Sequence, residues 1–351
     1  MDIEERMTAI REEIRQTPYH KGTEHHIGRL KARLAQLMDE RFRKQTRGGG
    51  GGGFAVRKSG DASVILVGPP SVGKSSLLNR LSEAKSKVGQ YDFTTLGVVP
   101  GMMFYRGAKI QLFDVPGIVK GAAAGKGRGK EVLSVVRGCD LVIIVVDVGK
   151  ADKIEEIKRE LYEFGVRLDE ELPKLVVKKD SRGGLKVSSS TPLSFVSAET
   201  VKQLATEFRI RNGEIILREN ITMDRLIDGF MGNRIYLPHL AVVNKIDMGL
   251  GKFDGAVSVS AKTGEGLGEL KAAIWDKLGL IRIYLKPRSA AVDNQPLIVK
   301  KGVSLKEISR RLNLEDNGPI KAKIFGPGAK YAGQEVSLSY QPLDGTITSF
   351  F

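Results

Sequence analysis

The sequence predicts an α/β protein whose mostly parallel sheet carries an inserted small α/β module, with a helical hairpin before it and a small α+β domain after it. Three observations lead there. Apolar runs in "SVILVG", "KIQLFDVPG", "DLVIIVVDV" and "LAVVNKID" alternate with amphipathic helical stretches and end in polar or glycine-rich loops. A run as continuous as "LVIIVV" belongs to a strand covered on both faces, the usual condition of a parallel sheet. The stretch from Asp114 to Asn244 is several times the roughly 30 residues of one strand-helix-strand unit, so a further module is expected inside it.

The elements follow in chain order. Residues 1–47 place Ile3, Met7, Ile10 and Ile14, then Ile27, Leu30, Leu34 and Leu37, at helical spacing, and Pro18 and Gly22 turn the chain between the two runs. That is a helical hairpin. His25 and His26 are adjacent, point apart on a helix and have no further ligands nearby, so solvated histidines are expected rather than a metal site. "RGGGGGGF" marks a flexible linker over 48–59; it lacks the preceding strand and following Lys-Ser of a phosphate loop. The main sheet domain is expected over 60–164 and 238–282, interrupted at 165–237 by the inserted module. The insert offers a hairpin-like "KLVVKKDSRGGLKVSSS", helical "AETVKQLATEF" and "TMDRLIDGFM", and no catalytic constellation. From 283 to 351, short strands, one helix in "SLKEISRRLN" and turns such as "FGPGAKYAGQ" suit a small α+β domain. Trp275 lies on the apolar face of the preceding helix and is expected in the core.

Composition narrows the partners. The chain has 351 residues, 41% hydrophobic and 28% charged, as in ordinary globular proteins with room for two or three domains. No apolar run approaches the roughly 20 residues of a membrane span, and "MDIEERMTAIREEIRQ" has no secretory core, so a cytoplasmic protein without membrane association is expected. The single Cys139 excludes an internal disulfide framework or a multi-cysteine metal site, and its neighbours suggest a small buried thiol. A net charge of +15 suits a polyanion, with RNA or a ribosome surface favoured over a surplus that serves only solubility. Sequence-specific reading of DNA is not expected.

The chemistry sits in loops at strand ends. "GPPSVGKSS" over 68–76 satisfies G-x-x-x-x-G-K-[ST] directly after a strand. Gly68, Pro69, Pro70, Ser71, Val72 and Gly73 form a loop whose amides curl around phosphate oxygens. Lys74 brings a point charge to the β and γ phosphates, Ser75 reaches Mg²⁺, and Ser76 continues into a helix whose N-terminal dipole favours anions. In "NKID", Asp247 can accept from both N1–H and the exocyclic amine of guanine, which adenine cannot reciprocate; Lys245 packs along the base and Asn244 braces the phosphate loop. "SAKTGEG" supplies Ser260, Ala261 and Lys262 as a loop closing over the base, with the Ala261 amide toward guanine O6. Asp114 is expected to touch Mg²⁺ through water and the Gly117 amide to face the γ-phosphate. "YDFTTLG" offers Phe93 beside the nucleotide and a hydroxyl to the metal, Thr95 being favoured and Thr94 the alternative. Lys74, Thr95 and Gly117 are the expected catalytic set. Loss of the γ-phosphate would release the loops bearing Thr95 and Gly117 as switches.

These motifs together, with "DVPGIVKGAAAGKGRG", resemble the Obg-type translation-factor GTPases. The helical hairpin, the glycine linker and "GDASVILVGPPSVGKSSLLNRLS" are similar to the developmentally regulated GTP-binding proteins across essentially the whole chain. The resemblance implies a P-loop GTPase domain, an N-terminal helix-turn-helix region, a ribosomal-protein-like insert and a C-terminal TGS domain of β-grasp type. It also implies GTP hydrolysis to GDP and phosphate, an association with ribosomes and translation, and a stabilising protein partner.

One position departs from the water-orienting glutamine of many GTPases: Ile118 follows Gly117, and its side chain neither donates nor accepts a hydrogen bond. The family similarly places a hydrophobic residue there. Slow intrinsic hydrolysis stimulated by K⁺, a ribosome or a partner is the expectation, with a non-catalytic GTP-dependent scaffold as the rival reading. Relatives that use K⁺ hold it partly through an Asn at the position of Ser71; serine is a weaker oxygen ligand, which leaves switch-loop carbonyls to hold the ion. An ATPase on the same fold conflicts with the intact "NKID". Lys120, Lys126, Arg128 and Lys130 make a basic loop, either an RNA or partner contact in the GTP state or a solvated segment whose glycines permit rearrangement.

Overall fold

The computed structural model describes residues 2–46, 59–82, 99–115, 135–249, 253–287, 291–314 and 321–351. They fall into two compact units. One draws on 2–46 and 158–237, the other on 59–115, 135–157 and 238–351. The expected linker, Phe93, Thr94, Thr95, Gly117, Ile118 and the basic loop at 120–130 lie outside the described residues.

The second unit contains the six-stranded sheet that positions the site. Its strands are β1 (Ala62–Val67), β2 (Val99–Tyr105), β3 (Ala108–Asp114), β4 (Leu141–Asp147), β10 (His239–Asn244) and β11 (Ala256–Ser258), in the order β11-β10-β4-β1-β3-β2. Every neighbouring pair is parallel except β2 with β3, a hairpin turning at Arg106 and Gly107. β1 is buried at all six positions and β4 at its first six, as continuous β-branched runs require when helices cover both faces. The central core joins Val64, Leu66, Ile143 and Val145 to Leu77 and Leu81 of α3 (Lys74–Leu81) and to Leu270 and Ile274 of α7 (Leu267–Leu278). Trp275 is 3% exposed and meets the Tyr105 ring edge-on at 6.1 Å. Cys139 is buried.

The same unit carries a second sheet, ordered β13-β12-β16-β14-β15 from β12 (Leu280–Leu285), β13 (Leu297–Lys300), β14 (Ala322–Phe325), β15 (Gln334–Val336) and β16 (Thr346–Phe350). Helix α8 (Leu305–Arg311) lays Leu305 and Ile308 on one face against Ile281, Ile283, Val299, Ala322 and Ile324. Its N-terminus is fixed by a capping box in which Ser304 accepts from the Glu307 amide and Glu307 accepts from the Ser304 amide.

In the first unit, α1 (Ile3–Gln16) and α2 (Glu24–Thr46) pack through Ile3, Met7 and Leu37. Ala32 of α2 enters a core with Val201, Leu204 and Ala205 of α5 (Ala198–Glu207) and Leu226 and Ile227 of α6 (Met223–Met231). Two sequence expectations need correction here. His25 and His26 are only partly solvated: His25 Nδ1 lies 2.9 Å from Thr200 Oγ1, and His26, its side chain 39% exposed, places Nε2 2.9 Å from Glu13. A helix face packed on a neighbour supplies partners that the helix's own sequence does not reveal. Likewise β6 (Leu175–Lys179) and β7 (Leu185–Ser189) are not a closed hairpin, because β8 (Gly213–Leu217) lies between them, antiparallel to β6 and parallel to β7. The outer strands are polar with half-buried apolar residues, whereas β8 buries Ile215 and Leu217 completely; the more apolar strand takes the centre. β5 (Val166–Leu168) pairs in parallel with β9 (Ile235–Leu237) and brings Arg167 against Asp228, with Nε–Oδ2 2.6 Å and Nη2–Oδ1 2.8 Å; Arg234 Nε adds a contact to Oδ1 at 2.9 Å. Helix α4 (Lys153–Glu163) follows β4 in the chain.

Candidate functional site

The loop between β1 and α3 is shaped by two glycines. Gly68 has φ +156°, and a Cβ there would stand 2.0 Å from the Val145 carbonyl oxygen. Gly73 has φ +89°, and its Cβ would stand 2.5 Å from Asn244 Nδ2. Only glycine tolerates both the backbone conformation and the close approach. Pro69 is buried, Pro70 and Ser71 are exposed, and Val72 is anchored in the core, so the loop arches outward between two fixed ends.

Lys74 opens α3 and is 7% exposed. Its ammonium donates to the carbonyls of Gly68 at 3.0 Å and Pro69 at 2.9 Å, curling the loop around the charge. Burial pushes its pKa below the ordinary lysine value, against an opposing pull from Asp114. Ser75 and Ser76 are exposed on the first turn. Ser75 Oγ donates to Asp114 Oδ2 from the end of β3. Asp114 is 5% exposed, and its Oδ1 has no hydrogen-bond partner among the described residues. A buried carboxylate oxygen without a donor is costly. Beside a serine hydroxyl it forms a hard-oxygen set that fits Mg²⁺. Thr95 and Gly117, expected to join this set, lie outside the described residues.

From β10, Asn244 is 1% exposed and uses both ends of its amide. Nδ2 donates to the Val72 carbonyl at 2.9 Å and Oδ1 accepts from the Ala261 amide at 3.0 Å, tying the phosphate loop to the "SAKTGEG" loop. Lys245 adopts a left-handed backbone, φ 66°, and donates to the Ser71 carbonyl at 2.6 Å. Asp247 Oδ1 accepts from Ser260 Oγ at 2.6 Å, and Ser260 Oγ accepts from the Thr263 amide at 3.1 Å. These bonds gather the residues of four separated motifs at the carboxyl ends of β1, β3, β10 and β11.

Two contributors were not found in the sequence. Arg80, two turns into α3, donates to the carbonyls of Ala261 at 2.9 Å and Lys262 at 2.7 Å, holding the second loop from below. No short motif marks it. Asp147, the last residue of β4, lies 3.6 Å from the Lys245 ammonium and 3.3 Å from that of Lys150. Its place at a strand's carboxyl end was an available signal.

Residues 63–179 match the family model described as "50S ribosome-binding GTPase", and residues 182–280 match the "C-terminal region of MMR_HSR1 domain". The chain is 46% identical over 363 aligned residues to an uncharacterized GTP-binding protein of Methanocaldococcus jannaschii, covering 99% of this chain and 92% of that one. It is 41% identical to developmentally-regulated G-protein 3 of Arabidopsis thaliana, covering 98% and 97% of the two chains. It is 38% identical to ribosome-interacting GTPase 1 of Saccharomyces cerevisiae, covering 96% and 95%.

Proposed function

The chain belongs to the family of developmentally regulated GTP-binding proteins, and from that premise we propose that it binds GTP, hydrolyses it to GDP and phosphate, and acts as a ribosome-associated switch. The observation that carries this reading is the double hydrogen bond of Asn244, which couples the phosphate-holding loop to the base-holding loop. Asp247 is the guanine reader through its second oxygen, while Ser260 fixes the carboxylate's direction; the Ala261 amide, expected toward guanine O6, is instead spent on Asn244 Oδ1. Lys245 braces the loop at Ser71 and lies along the base.

At the phosphates, Lys74 and the loop amides from Ser71 to Ser76 hold the β and γ groups and offset the charge that develops as the γ-phosphoryl transfers. Mg²⁺ would be held by Ser75, by Thr95 or Thr94 and, through water, by Asp114; when bound it neutralises phosphate charge. Gly117 senses the γ-phosphate, so its segment and the one bearing Thr95 are the switches. Phe93 flanks the nucleotide. The C-terminal sheet domain is assigned as the TGS domain and the insert as ribosomal-protein-like.

Ile118 cannot orient the attacking water, so intrinsic turnover is slow and rises with K⁺, a ribosome or a protein partner. The same residue supports the rival reading, a GTP-dependent scaffold without hydrolysis. Multiple-turnover phosphate release separates the two. Phosphate beyond one equivalent per protein, with GTP preferred to ATP, is expected. Turnover indistinguishable from buffer, with or without ribosomes and K⁺, would establish the scaffold.

A further inference from the structure

We propose that Arg80 sets how strictly the protein reads guanine, as a positioning residue that holds the base loop in the shape that aims Asp247. The inference deepens the reading of this site as a GTP site and rests on it.

The loop's own backbone bonds close its ends. Gly264 donates to the Ser260 carbonyl at 2.8 Å, and Ser260 donates to the Glu265 carbonyl at 3.0 Å. Between those ends, the carbonyls of Ala261 and Lys262 accept from Arg80 Nε at 2.9 Å and Nη2 at 2.7 Å. A planar guanidinium presents these donors as a fixed fork, so two successive peptides are held at once. Both peptides are trans, and in a trans peptide the N–H points opposite to the C=O. Turning the Ala261 carbonyl to Arg80 therefore turns the Lys262 amide the other way. Turning the Lys262 carbonyl to Arg80 likewise turns the Thr263 amide away, where it meets Ser260 Oγ at 3.1 Å. With a lone pair taken by that amide, the Ser260 hydroxyl gives its proton to Asp247 Oδ1, 2.6 Å away. The relay from Arg80 ends on the carboxylate that reads the base.

α3 makes a firm anchor for this relay. Leu77, Leu78 and Leu81 are buried in the core of the main sheet. The helix opens with Lys74, so one element carries both the phosphate-holding ammonium and the brace of the base loop. Ala261 is gripped from two sides, its amide by Asn244 Oδ1 at 3.0 Å and its carbonyl by Arg80. Without Arg80 the grip of Asn244 stays, but the Lys262 peptide can rotate, take the Thr263 amide off Ser260 and let the Asp247 carboxylate turn. Arg80 itself is exposed, so replacing it opens no cavity.

The test uses the full chain with Arg80→Ala and Arg80→Lys, titrated with GTP and with inosine triphosphate, which lacks the exocyclic amine. GTP offers Asp247 two donors and inosine triphosphate one, so a loosened carboxylate penalises GTP more. In Arg80→Ala, GTP affinity should fall about tenfold and inosine triphosphate affinity by less, narrowing the preference by roughly threefold. Release of a fluorescent GDP analogue should quicken by about the same factor as GTP affinity falls. KM for GTP should rise with kcat held. Arg80→Lys, whose ammonium is a point donor without the fork, should fall between wild type and Arg80→Ala. The nucleotide-free melting temperature should hold, since no core contact is lost. Equal losses for the two nucleotides would make Arg80 a general brace and overturn the proposal, as would unchanged affinities or a large drop in melting temperature. Wild type that binds no guanine nucleotide removes the GTP reading itself. Wild type that prefers GTP to inosine triphosphate, with Arg80→Ala keeping the same preference, removes the role of Arg80 alone.

Discussion

Asp247 and Asn244 stand three positions apart and do opposite kinds of work. Asn244 is saturated by protein, holding Val72 and Ala261, whereas Asp247 is directed by Ser260 and leaves an oxygen for a ligand. Replacing Asp247 with Asn turns an acceptor into a donor toward the base amine. GTP affinity should fall on the order of a hundredfold, about 3 kcal/mol, and xanthosine triphosphate, which carries a carbonyl where guanine has its amine, should bind better than GTP. Competitive titration against a fluorescent nucleotide checks this; retained GTP preference would remove Asp247 as the reader. Tyr236 makes a contrasting case. Its hydroxyl is buried with no hydrogen-bond partner among the described residues, and burial, then the Asp228 charge, pushes its pKa up to about 12. Tyr236→Phe should leave the melting temperature unchanged or raise it, since an unpaired donor is removed without losing a bond; a clear drop would reveal a missed partner. At this scale the site was legible where chemistry is local: Gly68 to Ser76 and Asn244 to Asp247 sit in contiguous motifs. Arg80 was not, because its contacts at Ala261 and Lys262 join positions far apart in sequence.

Elements succeed or fail as readings according to what decides their place. Continuous apolar runs such as β1 and β4 dictate their own burial, so the parallel sheet followed from sequence. The segment 174–190 has two strand patterns around Gly183 and Gly184, which is also how a hairpin reads, yet β8 enters between them from more than twenty residues later. Local periodicity carries no information about which strand comes to the centre. In the C-terminal sheet, the loop before β16 is tied to β12 by Asp344, which accepts from the Arg282 amide at 2.7 Å and from its guanidinium at 2.8 Å. The Arg282 side chain, chiefly through its hydrogen bonds, holds the Asp344 carboxyl below the usual aspartate value. A carboxyl depressed on folding contributes stability above its unfolded value, near 3.8, and loses it as pH falls through the lower folded value. Asp344→Asn should therefore lower the melting temperature at neutral pH by the equivalent of less than about 1 kcal/mol, the pair being over a third exposed on the acid's side. The gap from wild type should close on acidification below pH 4, roughly where the carboxyl protonates. A gap that persists in acid would assign the effect to packing.

Across the whole molecule the net charge of +15 acts on two processes that salt affects differently. Association with a polyanion releases condensed counterions, so its constant falls linearly in logarithm with salt, by roughly 0.7 to 0.9 per phosphate neutralised. Stimulation of hydrolysis by K⁺ depends on the identity of the ion, because a coordination site distinguishes ions that screening treats alike. The two effects are confounded if KCl is simply raised: turnover would gain from the ion while ribosome-dependent turnover lost from screening. Exchanging Na⁺ for K⁺ at constant ionic strength isolates the first, and raising NaCl at fixed K⁺ isolates the second. Ribosome-free turnover should rise on the exchange and stay level along the NaCl series, while ribosome co-sedimentation should stay level on the exchange and fall steeply along the series. Co-sedimentation that resists salt would mean that the basic surplus is not what meets the ribosome. Turnover indifferent to the exchange would mean that Ser71 and its loop hold no K⁺, leaving the ribosome or a protein to supply what Ile118 does not.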